Sequence, residues 1–122
     1  MTGNVLKVLA VGDIVGKPGR DAIARHLPGM KERGEVDFAI GNAENVAGGN
    51  GLTPELAGKL FASGMYCLTN GDHVWNKKEL VYAIAKDDRL LRPANYPEEQ
   101  PGRGAAVYDT PKGPVAVMNL QG

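Results

Sequence analysis

Apolar residues fall along this chain in short, nearly unbroken runs, separated by longer stretches in which they recur every three or four positions. Val5–Val11, Val36–Ile40 and Met65–Leu68 are three such runs. Runs of that length predict strands, and the continuity of the first predicts one covered on both faces of a parallel sheet. After it, Pro18 suits the first turn of a helix, and Ile23, Leu27 and Met30 fall at helical spacing. Pro28 is expected to break or kink that helix, and Gly34 to end it. Between the second and third runs, Thr53-Pro54 pairs an N-cap with a first-position proline; Leu56, Leu60 and Phe61 form one face, and Gly64 is a C-terminal stop. Beyond the third run, Asn76 and Glu79 resemble a capping box with Asn as the cap, and Leu80, Val81 and Ile84 give an apolar face.

Strand followed by helix, three times over, predicts parallel strands joined by right-handed crossovers. The last third of the chain reads differently. Leu90–Pro97 is extended and proline-bound, and Pro101–Gly104 is a loop. Two short strands then follow, Ala105–Tyr108 and Val115–Asn119, joined by a turn around Pro111-Lys112-Gly113. The expectation is one domain over 1–122. The last strand would normally feed a further element, so the domain is expected to be the N-terminal half of a longer one.

Composition narrows the class without naming it. A chain of 122 residues, 43% apolar and 23% charged, has the make-up of one ordinary globular domain. Its 14 basic residues balance 14 acidic ones, so no overall field favours bulk nucleic acid or an anionic membrane. The single cysteine, Cys67, lies inside the third apolar run; it excludes a disulfide framework and reads as a buried strand thiol. No run approaches transmembrane length, and the N-terminal stretch lacks the apolar core of a signal peptide, so a cytoplasmic location is expected.

Chemistry gathers where the strands end. Asp13, Glu44 and Asp72 each follow one of the three runs, and parallel strands bring such ends to one edge of the sheet. An acid in that position by itself caps a helix or closes a turn as readily as it binds anything. Three together, with Asn45 and His73 beside two of them, point to a cation site, because gathered like charges raise one another's pKa values unless a cation sits among them. Oxygen ligands with few histidines suit magnesium or manganese, and added imidazoles shift the preference toward iron or zinc. The other histidine, His26, lies on the first predicted helix, away from the strand ends. Two nucleotide-binding motifs fail. Gly12–Gly16 holds three intervening residues where a P-loop needs four, with Pro18 where Ser or Thr should follow the lysine, and no Gly-x-Gly follows the first strand.

Four blocks in order, Gly12-Asp13-Ile-Val-Gly-Lys-Pro-Gly-Arg20, Asn42-Ala-Glu-Asn45-Val-Ala-Gly-Gly49, Gly71-Asp72-His73-Val-Trp75 and Leu91-Arg92-Pro-Ala-Asn-Tyr96, resemble those of one family. It is the bacterial calcineurin-like metallophosphoesterases that act as 2′,3′-cyclic-nucleotide 2′-phosphodiesterases. The resemblance implies an α/β fold, an α-β-β-α sandwich of two sheets flanked by helices, present here as its N-terminal half. It implies two divalent metal ions, usually described as iron, with manganese, magnesium or zinc as alternatives. Asp13 would hold the first ion with Asn45 beside it, Glu44 would bridge both, Asp72 would face the second, and His73 would give a proton to the leaving oxygen. The implied substrate is a small phosphodiester, a cyclic nucleotide, cleaved by metal-activated water.

Two departures bear on that expectation. The family motif reads Gly-Asn-His where this chain has Gly71-Asp72-His73, an added negative charge that should favour cations and repel phosphate slightly. The family's remaining metal-binding histidines belong to a second half outside these 122 residues. They support a rival of a different class: a non-catalytic metal- or nucleotide-binding or assembly module. An exposed sheet edge would also invite pairing with another copy, making a homo-oligomer. Trp75 is expected to pack the loop rather than stack on a base. Arg92 and Arg103 read as structural or phosphate-facing arginines.

Overall fold

The computed structural model describes residues 5–122. Three strands, β1 (Val8–Asp13), β2 (Phe38–Asn42) and β3 (Cys67–Thr69), pair in parallel in the order of the sequence. Their connections carry α1 (Gly16–Glu32) and α2 (Pro54–Ser63), and α3 (Lys78–Lys86) follows β3. Strands added successively on one side, each through a right-handed crossover, place all their helices on one face. That face holds the main core, where Ile23 and Leu27 of α1, Ala57 and Leu60 of α2, and Leu80 and Ile84 of α3 meet Ala39 and Leu68 of the sheet.

The other face is covered by a hairpin, β4 (Ala105–Thr110) and β5 (Gly113–Met118), antiparallel and closed by a tight turn at Pro111-Lys112. Side chains alternate across a strand, so Phe38 and Cys67 point away from the helices into a second core with Leu91, Tyr108 and Val117. Two sheets face to face, helices outside one of them, match the expected sandwich. Cys67 is fully buried there; its thiol donates to the Tyr108 hydroxyl at 3.3 Å, which donates to the Asp88 carbonyl at 2.5 Å. Burial pushes the thiol up to about 11 and the phenol above its ordinary range.

Three expectations need correction. β1 is not covered on both faces: Leu9 and Val11 meet the helices, while Val8 is 52% exposed. Val8 pairs with Phe38 and so shares its face, but the two-stranded hairpin leaves this part of the edge strand uncovered. Pro28 does not break α1, which continues to Glu32. Asn76 does not cap α3: the helix begins two residues later, at Lys78, and the Asn76 amide instead donates to the side-chain oxygen of Asn50. Thr53 does cap α2, its hydroxyl accepting from the Leu56 amide at 3.2 Å, and Gly64 ends that helix in the left-handed region at φ 119°. All three strands begin two or three residues later than the apolar runs, because pairing rather than hydrophobicity sets their bounds.

Candidate metal centre

Each parallel strand delivers one carboxylate to the carboxyl edge of the sheet, by a different local device. In β1 the register slips between Val11 and Asp13, leaving Gly12 as an extra, unpaired residue. Such a bulge turns the strand and re-aims the next side chain. After β2, Asn42 folds its amide over the turn: Oδ1 accepts from the Glu44 amide at 3.3 Å, and Nδ2 donates to Glu44 Oε1 at 3.2 Å. The following loop closes on itself, with the Gly51 amide donating to the Glu44 carbonyl at 2.6 Å and Gly49 to Asn45 at 2.9 Å. Gly48, Gly49 and Gly51 all have φ between 65° and 86°, a region L side chains disfavour. After β3, Asn70 is fully buried and Val74 anchors the loop's far side, leaving Gly71, Asp72 and His73 at the surface between them.

Glu44, Asp72 and His73 converge, each offering a ligand atom within 4.8 Å of the other two. The Glu44 carboxylate, 17% exposed, accepts the His73 backbone amide at 3.3 Å on Oε2 and lies 3.8 Å from the imidazole. Asp72 Oδ1 lies 3.9 Å from His73 Nε2. Asp13 joins through Asn45, whose Nδ2 donates to both Asp13 oxygens at 2.9 and 3.0 Å. That assignment fixes the rest of the chain of contacts. With its nitrogen committed to a carboxylate, Asn45 presents Oδ1 to His73, and His73 Nδ1–H donates to it at 2.6 Å. Nε2 is then the nitrogen left free for chemistry.

The donor set fits a divalent cation. Among the described residues no lysine or arginine pairs with Glu44 or Asp72; the His73 imidazole is the one basic side chain within ion-pair distance of them. The two carboxylates are oxygen donors of the kind magnesium and manganese take, and an imidazole beside them shifts the preference toward iron or zinc. Tyr96 borders the same place. Burial first, then the Asp72 and Glu44 charges, hold its phenol above the usual range, and its hydroxyl donates to Gln121 Oε1 at 2.8 Å.

Arg92 and Trp75 build the frame. Arg92 is 5% exposed and spends its guanidinium on the carbonyls of Pro101 and Pro93, at 3.0 and 2.9 Å. Trp75 packs against the main core and donates to Gln100 Oε1 at 3.0 Å. Arg103 is exposed, and His26 lies exposed on α1. Asn42, Gly71 and Asn119 matter more than the sequence indicated. Asn42 and Gly71 sit inside recognised blocks, but nothing in composition or spacing separates a residue that supports a ligand from one that closes a turn.

A family profile described as YmdB-like protein matches residues 9–122. The 2′,3′-cyclic-nucleotide 2′-phosphodiesterase of Bacillus subtilis (strain 168) is 41% identical over 117 residues, 96% of this chain and 44% of that protein. A putative phosphatase/phosphodiesterase of Mycoplasma genitalium is 31% identical over 121 residues, 96% of this chain and 43% of that one. The crystal structure of a hypothetical protein from Thermus thermophilus superposes with a TM-score of 0.86 at 34% identity, over 94% of this chain and 44% of its own. That of a phosphatase from Mycoplasma pneumoniae gives 0.85 at 30% identity, over 96% and 43%. The chain thus spans less than half the length of the relatives it matches.

Proposed function

The chain belongs to the YmdB-like protein family, and from that premise we propose that it carries out the metal-dependent hydrolysis of a phosphodiester, a 2′,3′-cyclic nucleotide being the substrate class. The observation that carries the reading is the meeting of Glu44, Asp72 and His73 ligand atoms within 4.8 Å at the carboxyl edge of a parallel sheet. Relatives named as phosphodiesterases and phosphatases support the reaction class, and the cyclic nucleotide follows the name of the B. subtilis protein.

In this reading Asp13, Glu44, Asn45 and Asp72 hold two divalent ions, iron or manganese first among them. Ions bound there supply Lewis-acid polarisation of a phosphoryl oxygen and a water made nucleophilic near neutral pH. His73 moves the proton. Its ring is oriented by Asn45 through Nδ1, which leaves Nε2 as the atom to exchange a proton with the departing oxygen, and a positioned imidazole is the usual side chain for that step. The half-buried Glu44 side keeps the site partly shielded, while exposed Asp72 leaves it open to a small substrate.

The test is hydrolysis of bis-p-nitrophenyl phosphate and 2′,3′-cyclic AMP by this chain with manganese or ferrous iron added. Hydrolysis that depends on metal and is lost in His73→Ala supports the proposal. A second reading, a metal-binding module without turnover, is favoured by the extra negative charge that Asp72 brings beside Glu44. Stoichiometric metal binding with no hydrolysis would establish that one instead.

A further inference from the structure

Glu44 is held from two sides. On one, the Asn42 amide donates to Oε1 at 3.2 Å while accepting from the Glu44 backbone amide. On the other, the carboxylate lies where Gly71 has no side chain. A Cβ built on Gly71 would stand 2.7 Å from both Cδ and Oε2 of Glu44, and nearer still to Oε1. Gly71 has no positive φ, so its backbone does not require glycine. What the position requires is the empty space. Because the atoms that fill this space are the tip of a flexible side chain, an added methyl would push the carboxylate aside and leave the backbone where it is.

We propose that Gly71 and Asn42 are positioning residues for Glu44: Gly71 vacates the volume its carboxylate occupies, and Asn42 fixes which oxygen faces the loop and which faces His73. The inference rests on Glu44 being a metal ligand. Groups that orient a ligand typically change metal affinity about 10–100-fold when removed.

Manganese affinity of this chain, measured by titration calorimetry, tests it, with thermal unfolding without metal as the control for folding. Gly71→Ala should bind manganese about 10–100-fold more weakly than wild type while unfolding near the wild-type temperature. Asn42→Ala, which adds no atom and cannot clash, should weaken binding in the same direction. Glu44→Asp, one methylene shorter, should cost less affinity in the Gly71→Ala background than in the wild type, a coupling that loss of general stability would not produce. Wild-type manganese binding with both single variants unchanged would overturn the positioning roles alone. Absence of manganese binding by the wild type would remove the metal site itself, and this inference with it.

Discussion

Asn119, just past the end of β5, donates through Nδ2 to the carbonyl of Asn70 at 2.6 Å, tying the hairpin to the residue that opens the Gly71–His73 loop. The same nitrogen reaches the Leu91 carbonyl at 3.3 Å, which also accepts from Asn70 Nδ2 at 3.0 Å. The Asn119 backbone closes the knot, accepting from Ala94 at 2.6 Å and donating to Gly104 at 2.8 Å. One residue therefore joins the second sheet, the extended strap and the edge of the first sheet.

Asn119→Ala should cost about 1–3 kcal/mol, the usual penalty for stranding buried hydrogen-bond partners. Urea denaturation measures it. The loss should be accompanied by faster amide exchange at Gly71–Val74, since the loop's tether is gone. Exchange at wild-type rates in that loop would show that the tether holds the hairpin alone.

Glu44→Ala and His73→Ala should separate binding from turnover. On the proposed assignment the first removes a metal ligand, so elemental analysis after dialysis should find metal depleted along with activity. The second leaves the carboxylates in place and should cut turnover by about 10²–10⁴-fold, the range general acid–base groups contribute, at near-normal metal content. Full metal occupancy in Glu44→Ala would overturn its assignment as a bridging ligand.

Much of the fold is legible in the sequence, and the exceptions share a cause. Leu27, Leu60, Leu80 and Ile84 go to the core because helical spacing reports one buried face directly. Asp13, Glu44 and Asp72 come to one edge because parallel strands leave no other arrangement. The coverage of β1 depends on how far a hairpin near the other end of the chain extends, which no local pattern encodes. Asn76 offers good local chemistry as a cap, and the side chain of Asn50 outcompetes it. Asn119 reads as one polar residue ending a strand, and its partners on Asn70, Leu91, Ala94 and Gly104 become apparent only once the segments meet.

Acid should loosen the molecule partly through Asp37. The Lys7 backbone amide, at 2.8 Å, and the Lys112 ammonium, at 3.0 Å, hold its carboxyl below the ordinary range. A carboxyl depressed in the folded state adds stability above its unfolded pKa, and that stability drains away as pH falls through the folded value. Asp37→Asn should therefore flatten the acid side of the stability profile below about pH 4, measured by denaturant midpoints across pH. A profile identical to wild type would remove Asp37 as a contributor.

Alkali should act through Cys67. Burial pushes its thiol up to about 11 from an ordinary value of 9.0, so the folded state holds the proton between those values. Stability is then complete below pH 9 and falls as pH rises toward 11. Reaction with a disulfide reagent at about pH 8, below the ordinary thiol range, should be slow, limited by unfolding, and become rapid in denaturant. Fast labelling of the native protein at that pH would contradict the burial beneath the hairpin.

The sequential strand order also dictates a timetable for synthesis. Each βα unit docks beside the one made just before it, so the first sheet can grow as the chain leaves the ribosome, amino end first. The candidate site keeps that schedule and its tether does not. Contacts spanning 32 residues from Asp13 to Asn45 and 29 from Glu44 to His73 join neighbouring units, so all five residues are made before α3, whereas Asn119 follows Asn70 by 49 residues. A nascent chain would thus hold the gathered side chains on three short strands before it held the bond that ties down the start of the Gly71–His73 loop.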